Sequence, residues 1–207
     1  PLLQEMLGGR LFGQPEVPFS AFDDSQRVLA ASTGAGFVGL LSLFNIGGRF
    51  FWASVSDRIG RRATYAAFFL LGLAAFIAAP LAAGLGSVGG FVALMCLIAS
   101  MYGGGFATIP AYLADLFGVR FVGAIHGRLL TAWSAAGIGG PILVTWLADR
   151  GRSAGLTGAD LYRPVFWTMA GLLALGFLCN LLIGAVHPAF RQHAEAEQGD
   201  GGLAKSV

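Results

Sequence analysis

Arg49 stands in an otherwise uncharged apolar stretch, FNIGGRFFWASV, eight residues ahead of Asp57 and the charged run DRIGRR. A guanidinium in such surroundings is a planar fork of N–H donors matched to a carboxylate, and burying it without an anion is strongly unfavourable. Tyr102 opens YGGGFATIP, a phenol followed by three glycines and then Pro110, and Trp133 stands in LLTAWSAAG. A cation and a hydroxyl are tools for holding an anion. They are poor tools for covalent catalysis, which needs a nucleophile beside a base, or clustered metal ligands. Only His126 and His187 lie in or next to apolar segments, with no acidic residue at helical spacing, so neither a catalytic centre, a metal site nor a cofactor is expected.

Each of these residues also has a plainer reading. Arg49 could pair with a carboxylate elsewhere in the protein instead of a substrate. Tyr102 could pack, and the pair Gly47 and Gly48 could serve close helix contact as well as ligand approach. Gly103, Gly104 and Gly105 make the Tyr102 segment too interrupted for a straight lipid-facing helix, an arrangement tolerated where backbone lines a cavity. His126 and Arg128 fall near the start of the fourth apolar segment, where a satisfied histidine and an arginine snorkelling to headgroups are the simpler accounts. Cys96 and Cys179 read as small hydrophobes within packed segments.

The elements that would position these groups follow from composition. The chain has 207 residues, 56% hydrophobic and 12% charged, and its mean hydropathy of +0.70 belongs to a polytopic membrane protein. Residues 28–48, 63–114 and 164–186 contain no Asp, Glu, Lys, Arg or His, and a helix needs about 20 apolar residues to cross a bilayer. Five spans are expected, at 28–56, 63–83, 87–114, 121–148 and 164–186. All should be helices, because lipid-facing backbone must satisfy its own hydrogen bonds. Arg49 is then about 12 Å from the nearer interface, too deep to snorkel. Residues 1–7 read as the tail of a preceding span and 8–27 as an extracytoplasmic loop, so the chain is expected to be a fragment. The polar tail 187–207 is expected to be cytoplasmic and disordered. The net charge of +2 is scattered over loops, and no nucleic-acid partner is expected.

Orientation follows from Arg58, Arg61 and Arg62, whose density in one short loop is the strongest cytoplasmic retention signal in the chain. A shift of 92 residues lays IGGRFFWASVSDR (46–58) over IGGPILVTWLADR (138–150), sharing Ile, Gly, Gly, Asp and Arg. With three loops between them the two copies cross in opposite directions, the pattern of inverted repeats in secondary transporters. Chance similarity between glycine-rich helices ending in Asp-Arg is the alternative.

The loop SDRIGRR resembles the G-x-x-x-D-R-x-G-R-R signature of the major facilitator superfamily, with Ala53 in place of the leading glycine. LSLFNIGGRFFWASVSDRIGRR, YGGGFATIPAYLADLFG and VGAIHGRLLTAWSAAGIGGP together resemble the carboxyl-terminal half of the oxalate/formate antiporter family, over residues 28–186. The resemblance implies an all-α fold of two six-helix halves, of which this chain would supply the end of the seventh helix and the eighth to twelfth. It implies that Arg49 grips substrate carboxylate and that Tyr102 and Gly104 line the cavity. Trp133 is expected where oxalate exchangers carry a second cation, which would favour monocarboxylates over oxalate. Asp57, Arg58, Arg61 and Arg62 are expected to hold the cytoplasmic gate closed, or else to act only as a topology signal.

The expected function is a secondary transporter of small organic anions in a bacterial inner membrane, working by alternating access as an exchanger. Its expected partners are the anion, the lipid bilayer and an amino-terminal half. A proton-coupled monocarboxylate symporter is the alternative within that class. An intramembrane enzyme and a channel are the alternatives outside it, without the residue clusters or polar rings that either needs.

Overall fold

A capping box starts the first helix in the computed structural model, which describes residues 23–184. The Asp23 carboxylate accepts from the Gln26 amide at 2.7 Å, and the Gln26 side chain accepts from the Asp23 amide at 3.2 Å. From there α1 runs Asp24–Ile59, followed by α2 (Arg61–Gly84), α3 (Val88–Phe117), a 3-10 turn (Val119–Phe121), α4 (Val122–Ser153) and α5 (Gly158–Leu182). Glycine makes the sharpest breaks. Gly60 at φ 87° separates α1 from α2, and Gly118 at φ 81° ends α3, a region of φ that costs a residue with a Cβ far more.

The helices outrun the uncharged segments that mark them. α1 begins at Asp24 instead of residue 28, because the cap lies in polar sequence and carries the helix into it. α4 extends to Ser153 beyond the expected 148, with Asp149 and Arg152 paired at 3.0 Å along its last turn. α5 starts at Gly158, earlier than the expected 164, and Leu161 and Tyr162 of that first stretch are buried in the core. Residues 23–27, expected as loop, are thus the cap and first turn of α1. The expected end of an earlier span at 1–7 and the tail 187–207 lie outside the described residues.

Contacts fix the direction of every helix. Arg61 at the start of α2 meets Asp57 near the end of α1 and Asp115 near the end of α3, and Arg62 bonds Leu181 at the end of α5. Hence α1, α3 and α5 run one way and α2 the other. At the opposite end Ala79 and Ala83 of α2, Phe91 of α3, Ala148 of α4 and Leu161, Tyr162, Val165 and Phe166 of α5 form the larger core, with Phe37 of α1 against it. The late residues of α4 therefore sit beside the early ones of α3, so α4 is antiparallel to α1, as the echoed segments require. A second core of Trp52, Phe68 and Met101 joins α1, α2 and α3. α1 packs chiefly on α3, α2 on α5 and α3, and α4 holds the edge.

The exterior is as apolar as the core. Val28, Phe50, Ile138 and Leu182 are each at least 70% exposed, a surface that would aggregate in water and is at home in hydrocarbon. All five helices are long and apolar enough to cross a membrane. The chain is an integral membrane protein.

Candidate functional site

Glycine builds the seam between α1 and α3. A methyl group on Gly48 would collide with the Ser100 backbone, and one on Gly103 with the Asn45 carbonyl. A Cβ on Gly104 would stand 2.6 Å from that of Trp52. Asn45 and Trp52 complete the joint: the Asn45 amide donates to the Ala99 carbonyl at 3.4 Å, and the Trp52 indole N–H to the Ser100 hydroxyl at 3.3 Å. Gly48 thus takes the helix-packing role of its two readings, while Gly47 is exposed with no neighbour at its Cβ position. Gly104 turns its missing side chain toward Trp52 and is buried there. The glycine-rich segment does not interrupt the helix: α3 is continuous through residues 102–110. The Thr108 hydroxyl bonds the Gly104 carbonyl at 2.9 Å and the Tyr65 hydroxyl bonds the Gly105 carbonyl at 2.8 Å, which hold the turn where Pro110 lacks an N–H.

The seam decides where Arg49 points. Gly47, Phe44 and Phe51 lie on one edge of the α1 contact stripe and, with Leu97 and Ser100 of α3, line an apolar groove. Arg49 is one helical step of about 100° beyond Gly48 in the other direction. On α3 the same geometry puts Tyr102 and Phe106 on the edge away from Leu97 and Ser100. In parallel helices these two edges border the same side of the seam, so Arg49 and Tyr102 share a side. They also share a level, since Asn45 and Gly48, flanking Arg49, touch Ala99, Ser100 and Gly103, flanking Tyr102. Arg49 is exposed, and among the described residues it has no hydrogen bond and no ion pair.

Tyr102 and Trp133 are brought together directly. The Trp133 indole N–H donates to the Tyr102 hydroxyl at 3.1 Å, leaving the phenol proton to be donated outward. Phe106 stands edge-on to both rings, 5.1 Å from Tyr102 and 5.8 Å from Trp133. These aromatic contacts tie α4 to the middle of α3. Phe106 was not singled out in the sequence, although its place one turn after Tyr102 on a helix is the signal that would have found it.

The expected gate residues divide into three. Arg61 is the hub: its guanidinium donates to the Ser56 hydroxyl at 2.8 Å and reaches Asp57 at 2.6 Å and Asp115 at 3.5 Å. Its side chain is only 20% exposed, so the cluster is partly screened from water. Arg62 turns away to bond the Leu181 carbonyl at 2.7 Å, while the Asn180 amide donates back to the Arg62 carbonyl at 3.4 Å. This pair clamps α2 to the end of α5. Arg58 has no ion pair or hydrogen bond among the described residues. Asp115 was overlooked because it marks the end of an uncharged run, and nothing in the local sequence says that a helix end meets Arg61. His126 carries a buried Nδ1 with no partner, and Arg128 is exposed.

The family profile described as the Major Facilitator Superfamily matches residues 19–205. The chain is 32% identical over 135 residues to a protein named "Oxalate:formate antiporter" from Oxalobacter formigenes, a match that covers 64% of this chain and 31% of that relative. The chain thus spans about a third of the curated relative's length. No solved structure matches it. Five membrane-spanning helices in alternating direction, with a charged joint after the first and a profile match over nearly the whole chain, show that the chain belongs to the Major Facilitator Superfamily of transporters.

Proposed function

We propose that the chain belongs to a secondary transporter that moves small carboxylates across a bacterial inner membrane by alternating access, as an exchanger, with Arg49 as the anion anchor. One observation carries the reading: Arg49, within the apolar stretch of α1, lies on the side of the seam that also bears Tyr102, and no described acidic residue neutralises it. A guanidinium so placed is costly unless an anion arrives. The likeness to a protein named for oxalate and formate supports a carboxylate as that anion.

In this reading the Arg49 fork takes the carboxylate, and the Tyr102 hydroxyl, oriented by Trp133, donates one further hydrogen bond. Phe106 and Trp133 form the wall. Gly104 acts indirectly by seating α1 against α3. One cation matches one negative charge, so monocarboxylates are preferred to dianions, whose second charge would stay desolvated and unpaired. The Asp57, Arg61 and Asp115 cluster is the cytoplasmic gate, joining the ends of α1, α2 and α3 with charge-assisted hydrogen bonds. Arg62 secures α5 beside it, and Arg58 serves orientation.

Uptake of labelled formate, lactate and oxalate by liposomes bearing the protein tests this. Arg49→Lys keeps the charge and loses the fork, and it should lower carboxylate transport about 10- to 100-fold, the worth of a charge-assisted hydrogen bond. Wild-type rates for every acid in that variant would overturn the assignment.

A further inference from the structure

Past its middle α3 is bonded to α2 by polar groups. Gly103 and Gly104 press against α1, whereas the next residue, Gly105, has its carbonyl bonded by Tyr65 of α2 at 2.8 Å, and Asp115 further on is held by Arg61 of α2 at 3.5 Å. Arg61 and Tyr65 are four residues apart, hence one above the other on the same face of α2. Their attachments fall on either side of Pro110, whose missing N–H leaves the Phe106 carbonyl without its usual helical donor. The loosened turn therefore begins at Phe106, a member of the aromatic wall, and ends at Pro110, five residues before the Asp115 tether to the gate.

Within that turn the Tyr65 hydroxyl is the central contact. It donates to the Gly105 carbonyl and lies 3.4 Å from the Thr108 hydroxyl, which also bonds the Gly104 carbonyl. The Tyr65 ring is seated between Phe68 at 5.4 Å and Tyr112 at 5.3 Å, so the oxygen has a fixed aim. Gly105 meets nothing within 4 Å of its Cβ position. At Gly105 itself the Tyr65 hydroxyl supplies the contact that its missing side chain does not.

We propose that Tyr65 is a positioning residue for transport: its hydroxyl latches α3 at Gly105, so that movement of the Arg61–Asp115 joint is transmitted to Phe106 and Tyr102 instead of being absorbed at Pro110. This rests on the assignment of the Arg49 side of the seam as the substrate site. Tyr65→Phe removes the oxygen and keeps the ring. A cysteine replacing exposed Ala107, with Cys96 and Cys179 changed to alanine, reports the mobility of the turn. In the membrane-inserted protein, Tyr65→Phe should raise the rate at which a membrane-impermeant maleimide labels that cysteine about 2- to 10-fold, as expected for loss of one hydrogen bond. The maximal exchange rate should fall by a similar factor while half-saturation stays within about twofold, because Arg49 and Tyr102 still meet the anion. Unchanged labelling would overturn the latch. Were wild type to move no carboxylate, the substrate reading would fail and labelling would still decide the latch. Thr108→Val, which removes the hydroxyl beside Tyr65, serves if Tyr65→Phe does not insert: faster labelling supports the latch and unchanged labelling overturns it.

Discussion

The echoed segments 46–58 of α1 and 138–150 of α4 share a glycine pair and an Asp-Arg ending, yet their glycines meet opposite fates. Gly48 is buried against the Ser100 backbone, whereas its counterpart Gly140 has nothing within 4 Å of its Cβ position. The residue after the pair is Arg49 in one copy and Pro141 in the other. In both copies the aspartate pairs with an arginine that follows it: Asp57 with Arg61 across the Gly60 break at 2.6 Å, and Asp149 with Arg152 along α4 at 3.0 Å. The first is extended to a third helix, through Asp115. A glycine pair is permission for close approach, and a neighbour must bring matching small residues before the permission is used. α3 does so with Gly103 and Gly104.

The sharpest way to separate the copies is at the residue after the glycines. Arg49→Leu should reduce carboxylate uptake to about 1% of wild type or less, since both charge and fork are lost, while Pro141→Leu should leave the half-saturation for carboxylate within about threefold because no anion contact is removed. Equal losses of affinity in the two variants would show that the copies serve the substrate alike.

Next in size is the cost of filling the glycines. Gly48→Ala should destabilise the protein by about 1–3 kcal/mol, because backbone must move to admit the methyl. Gly140→Ala should change stability by less than about 1 kcal/mol, with the sign set by the helix propensity of alanine. Thermal unfolding in detergent measures both, and comparable melting shifts would break the contrast.

The paired ends should differ less. Asp57→Asn weakens a cluster whose hub is one-fifth exposed and is expected to cost about 1 kcal/mol, whereas Asp149→Asn affects a pair with side chains 64% and 48% exposed and should cost less than about 0.5 kcal/mol. Cysteine labelling from the cytoplasmic side should increase for Asp57→Asn alone. If it does not, the cluster is only an orientation signal.

The smallest effect belongs to the contact that ties α4 to α3. Trp133→Phe keeps a ring beside Phe106 and loses the N–H given to Tyr102, so half-saturation for formate should rise about 2- to 10-fold. No change at all would mean that Tyr102 needs no orientation.

Much of the architecture was legible before any contact was known. Uncharged runs of span length can only be helices in hydrocarbon, because exposed backbone has no other way to satisfy its hydrogen bonds. Gly60 and Gly118 fall in the gaps between such runs, and the charge of Arg49 stood out because residues 28–56 hold no other. Helix ends were less legible: charge was read as the end of a span, yet Asp23 caps α1 and Leu161 and Tyr162 build the core.

Partnership was illegible, and for one physical reason. A helix repeats every 3.6 residues, so the chain can say which residues share a face but not which helix covers it, particularly where every face is apolar. The sequence determined by itself that five helices are long and apolar enough to cross a membrane, that one carries an arginine within its apolar stretch, and that glycine stands beside it. Only the tertiary structure decided that those glycines seat α1 on α3, that Tyr102 lies on the side of Arg49 and bonds Trp133, and that Arg61 takes Asp115 while Arg62 turns to α5. Each of those choices joins residues tens of positions apart, and it is packing of whole helices that selects them.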